Sequence, residues 1–208
     1  LFLVVTTIFE GTKSALLKNA HVKFVSSSYE SSEKAIIASS SLLINGFLTL
    51  VFIPFILFFS VWLSSTLNSG IDLSMMLKWF IPGIIFMVFF SHFEAIQQSH
   101  FDFKGVFAGH FTRQTTFFFL LLTQHFILRI NLSLTNLAIY QSISICFGTI
   151  IIYLSSKKYL LMVFKPTKIW IKKIFKYGGF IFGSGMLSNI FSNLDQILTA
   201  KFIAPASV

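Results

Sequence analysis

Charge is scarce in this sequence, and acid is the scarcest part of it. Only 11% of the 208 residues are charged, with 7 Asp+Glu against 16 Lys+Arg for a formal net charge of +9. A water-facing shell needs about a quarter to a third of its residues charged, and 55% of this chain is hydrophobic, with 28 Phe. The composition therefore points to a polytopic membrane protein. A single cysteine, Cys146, excludes an internal disulfide framework and a cysteine-cluster metal site. Catalytic signatures are missing as well: there is no Walker loop, no GxSxG and no acidic pair suited to glycosyl transfer, so an enzyme is not expected. The histidines at 21, 92, 100, 110 and 125 include no HxxxH pair with a nearby Glu, so neither a metal nor any other cofactor is expected. The chain begins at Leu1 and ends just past an apolar run, and is read as a piece of something longer.

What is present is a series of long apolar runs without the period-2 alternation of barrel strands, which reads as helices. About 20 apolar residues span a bilayer core. Such runs cover 1–25, 36–62, 75–96, 108–128, 134–154 and 178–200, giving an expectation of six spans. The connection from Lys157 to Lys176 holds seven lysines and no acid. By the positive-inside rule it is cytoplasmic, and alternation orients the other loops. Within it, Lys168, Lys172 and Lys176 recur every four residues, with Trp170, Ile171, Ile174 and Phe175 elsewhere around the helix. That pattern predicts an amphipathic helix in the membrane interface. Wedged between spans, this basic stretch has a membrane explanation, and nucleic acid is not expected as a partner.

Polar side chains inside apolar runs are the candidate site, because they are costly in hydrocarbon unless they face a cavity or a partner. At 100° per residue, Ser188, Asn189, Ser192, Asn193, Asp195 and Gln196 share one side of the last run. They predict the wall of a hydrated cavity, or else helix packing together with the Gly179/Gly183 pair. Glu10 and Lys13 stand at i, i+3 in the first run, followed by Lys18, and Arg113 lies near the start of the fourth. Pairing and snorkelling are the plain readings of these charges; the chemical one is that Lys and Arg attract phosphate. Asn131-Leu132-Ser133 matches a glycosylation acceptor, a motif of little weight by itself.

The stretches Phe175-Lys176-Tyr177-Gly178-Gly179-Phe180 and Ser192-Asn193-Leu194-Asp195-Gln196-Ile197-Leu198 resemble the seventh span of the O-antigen (Wzx-type) polysaccharide flippases. These belong to the multidrug/oligosaccharidyl-lipid/polysaccharide exporter superfamily. Gln196 stands where that family often has Arg. Phe101-Asp102-Phe103-Lys104-Gly105 and Phe9-Glu10-Gly11-Thr12-Lys13 resemble earlier parts of the same family. The resemblance implies about six helices of an all-α, two-lobe transporter of 12–14 helices, truncated at both ends. Residues 1–155 would form most of the first lobe, 156–177 a basic cytoplasmic linker, and 178–208 the first helix of the second lobe.

It further implies a multi-pass protein of the bacterial inner membrane, in lipopolysaccharide biosynthesis. The activity would be flipping of undecaprenyl-diphosphate-linked oligosaccharide by alternating access, with membrane lipids and a coupling proton or sodium ion as further partners. Under that reading Lys13, Lys18 and Arg113 attract the diphosphate. Asn189, Asn193 and Gln196 bond sugar hydroxyls, and Asp195 and Glu10 couple to the ion. The rivals are a cation antiporter of the same superfamily, a membrane glycan polymerase or acyltransferase, and a structural scaffold.

Overall fold

The structure, a computed structural model, describes residues 2–66, 70–128, 133–160, 164–194 and 198. Its regular elements there are helical. They are α1 (Phe2–Ser27), α2 (Ser31–Thr66), α3 (Gly70–Trp79), α4 (Ile81–Ser99), α5 (Phe103–Leu122), α6 (Leu134–Ser156) and α7 (Lys168–Ser192). A wider π-helical turn, Thr123–Leu128, prolongs α5, and a single tight turn, Lys157–Tyr159, follows α6. The boundaries have local causes. Pro82 sits in the first turn of α4, where a missing N–H costs nothing, and the chain bends by 52° between Leu73–Trp79 and Ile81–Ser99. Ser133 and Thr167 cap α6 and α7 by accepting from the amides of Asn136 and Trp170.

Two apolar clusters hold the helices together. One gathers Phe2, Ile56, Leu73, Leu77, Phe80, Ile84 and Ile145 from α1, α2, α3, α4 and α6. The other joins α1 to α7 through Leu16, Leu17, Ala20 and Ile174, with Ile44 from α2. The α1–α7 approach depends on Gly178, since a Cβ there would sit on the carbonyl oxygen of Leu16. Buried polar groups cross between helices as well. Asn45 of α2 donates to the Val88 carbonyl at 3.2 Å and to the Ser91 hydroxyl at 3.0 Å. Gln97 of α4, fully buried, donates to the Ile152 carbonyl at 3.0 Å and to Ser156 Oγ at 2.8 Å.

The six-span expectation is overturned. Among the described residues two helical stretches are long and apolar enough to cross a membrane, Ser31–Thr66 and Leu134–Tyr159, or three if the bent α3/α4 pair counts as one span. The reason is polar content. In α1, Glu10, Lys13, Lys18 and Lys23 interrupt the run, and in α5 His110, Thr112, Arg113, Gln114, Thr115 and Thr116 dilute it. In α7 four lysines open the helix, and Gly, Ser and Asn are spread along the rest. The two-lobe transporter fold implied by the flippase resemblance is therefore not what the chain forms. The readings built on it are corrected with it: flipping of lipid-linked oligosaccharide by alternating access, the cation-antiporter alternative, and the O-antigen and lipopolysaccharide setting. So are the lipid, oligosaccharide and coupling-ion partners and the multi-pass inner-membrane location. The structure is instead a bundle in which charged helices pack against apolar ones and bury hydrogen-bonded polar groups between them.

Candidate functional site

A cavity of about 420 Å³ lies between α1, α2, α4 and the chain just after α6. Leu42, Phe89, Phe93, Ile96 and Phe164 supply apolar walls. His21 and His92 supply a polar floor, and Lys34, His100, Lys158 and Tyr159 also line it, with no acidic side chain in the lining among the described residues. Volume and lining are those of a small-molecule site, apolar with a few placed polar groups.

His21 is the unusual member. It is 0% exposed, and neither ring nitrogen has a hydrogen-bond partner among the described residues. Its ring meets His92 edge to face, with centroids 5.7 Å apart. Burial pushes the His21 pKa down to about 3, with smaller contributions from His92 and His100, so the imidazole is neutral at neutral pH. A neutral imidazole offers one donor and one acceptor. Leaving either one unmet in a protein interior costs about 1–3 kcal/mol.

Toward α5 the cavity is bordered by a small polar cluster. His100 Nδ1 lies 2.9 Å from the Ile96 carbonyl, so this nitrogen carries the proton and donates. The His100 ring stacks on Tyr159 at 4.3 Å and 18°. Tyr159 donates to Asp102 Oδ2 at 3.0 Å, and Lys158 Nζ lies 2.7 Å from the same oxygen. Those two contacts, Lys158 first, hold the Asp102 carboxyl below its ordinary pKa. Asp102 stands at the N-cap of α5 but makes no capping bond with its side chain. Its neighbour Phe101 takes a φ of 57°, left-handed and strained for an aromatic residue by about 1–3 kcal/mol. The connection between α4 and α5 thus adopts a strained residue where Asp102 reaches across to Lys158 and Tyr159.

The residues singled out in the sequence lie elsewhere. Glu10 and Lys13 pair at 2.9 Å, and Lys13 donates to Thr49 at 3.0 Å. Lys18 pairs with Glu94 at 2.9 Å, and His110 approaches the same oxygen at 3.1 Å. Glu10, Lys13 and Lys18 border a cleft of about 20 Å³, room for about one water, which shares His92 with the larger cavity. Arg113 of α5 lies over Phe90, with its Nη1 3.9 Å from Met87 Sδ. Asn193 donates to the Asn189 carbonyl within α7, and the Asn189 side chain packs on Gly11. Asp195, Gln196 and Asn131 fall outside the described residues. None of the described members of that set lines the 420 Å³ cavity.

Sequence reasoning missed Glu94, Asp102 and the meeting of His21 with His92. Nothing in the local pattern could reveal the last, since it depends on how α1 packs against α4. Among the described residues no group of three or more His, Cys, Asp or Glu is placed to hold a metal ion. No protein-family model, curated protein or solved structure matches the chain. Fold and site together define a helical bundle with a histidine-floored cavity.

Proposed function

We propose that the chain is a ligand-binding bundle whose cavity takes a small organic molecule without covalent chemistry. The apolar body of that molecule lies against Phe89, Phe93 and Leu42, and its polar end meets His21. One observation carries the reading: a fully buried imidazole with both nitrogens unpartnered lines an open cavity. Without a partner that imidazole costs the fold stability. A ligand group that donates to the acceptor nitrogen or accepts from the N–H removes the penalty at that nitrogen.

The test uses benzamide as the probe and the imidazole proton resonances of the purified protein as the readout. Saturable shifts are expected at His21 and His92. The variant His21→Phe, which keeps the ring and removes the polar atoms, should lose those shifts at His92 while remaining at least as stable as the parent. Absence of binding to the parent protein, or unchanged binding to a folded His21→Phe, would overturn the proposal.

A further inference from the structure

Resting on that reading, we infer that the cavity selects organic anions, and that the ligand's carboxylate takes Lys158 and Tyr159 away from Asp102. The lining carries two cationic side chains, Lys34 and Lys158, and no carboxylate of its own. Lys34 makes no ion pair among the described residues. Lys158 and Tyr159 both line the cavity, and both are held by one oxygen, Asp102 Oδ2, which is not itself part of the lining. Asp102 therefore occupies, from outside the cavity, the donors that a carboxylate inside it would use.

The two arrangements are chemically alike, each pairing one carboxylate with one ammonium and one phenol, so exchanging them carries little net electrostatic cost. Two features favour exchange over permanent closure. Lys158 is 62% exposed at its side chain, so it can turn on its flexible stem, and Phe101 is strained where the chain delivers Asp102. The ligand class that fits is a monoanion with an apolar body: the carboxylate at the Lys158 end, the body along Phe89 and Phe93, and a second polar group where the ligand meets His21.

The experiment compares benzoate with its neutral isostere benzamide, on the intact protein and on Asp102→Asn and Lys158→Met. Asp102→Asn removes the internal competitor, and benzoate should bind about tenfold tighter while benzamide changes less than about twofold. Lys158→Met should weaken benzoate about tenfold and leave benzamide unchanged. If Asp102→Asn does not fold, Lys158→Met still decides. Equal effects of either variant on both probes, or no effect on benzoate, would overturn the exchange while leaving a cavity that binds neutral ligands. Failure of both probes to bind the parent protein would instead remove the ligand-binding reading beneath it.

Discussion

Acid should destabilise this fold through His21 well above the pH at which its carboxylates titrate. The folded protein holds the His21 pKa near 3, while in the unfolded chain it returns to 6.5. Above pH 6.5 both states carry a neutral ring, so the full stability is present. As pH falls below 6.5 the unfolded chain takes up a proton that the folded chain refuses, and stability is lost progressively until pH approaches 3. Between pH 7 and pH 5 this single group accounts for a loss of about 2 kcal/mol. The assay is urea denaturation followed by helical circular dichroism at the two pH values, on the parent protein and on His21→Gln. The substitution keeps a polar side chain and removes the titration. His92, whose pKa burial lowers to about 4, titrates in the same window but is present in both proteins, so the parent should lose about 2 kcal/mol more than the variant on going to pH 5. Asp102 does not confound the window. Its pKa lies below the ordinary carboxylate value, so its contribution is lost only at lower pH. An equal pH dependence in the two proteins would refute the claim that His21 is buried in neutral form.

Two further outcomes test the packing. Gly178→Ala should destabilise the fold by about 1–3 kcal/mol in the same urea assay, because its Cβ meets the Leu16 backbone. Gly179→Ala, where a Cβ meets nothing within 4 Å, should be neutral or slightly stabilising, and equal losses at both positions would contradict the α1–α7 docking. Glu94→Ala leaves Lys18 and His110 without their shared acceptor and should cost about 2 kcal/mol, less than a fully buried pair because Lys18 is partly exposed. A loss under about half a kilocalorie per mole would mean that the pair is a surface contact only.

The positions of the helices were legible because apolar runs broken by turn chemistry are a local signal: the run at 134–154 is α6, and that at 36–62 lies within α2. How each run is used was not legible. A run of about 20 apolar residues reads the same whether its side chains face lipid or other helices, and the difference lies in what the polar interruptions find when the chain folds. Lys13 finds Glu10 and Thr49, and Lys18 finds Glu94 on a helix distant in sequence. The glycine pair at 179 and 183 read as a packing face, yet both point to open space, and the packing falls on Gly178 and Gly185, which set α7 against α1. The polar side of α7 read as a cavity wall or a packing face; Ser192 and Asn193 bond back to carbonyls of α7, while Asp195 and Gln196 lie outside the described residues.

The candidate site shows the same limit in sharper form. His21 and His92 are unremarkable singly, since a lone histidine in an apolar helix has many uses. Only the packing of α1 on α4 makes them a polar floor, and only the absence of any partner for His21 makes that floor a place for a ligand. An unmet donor and acceptor at the centre of a bundle is a cost that local sequence cannot display, because it is defined by what the other helices fail to supply.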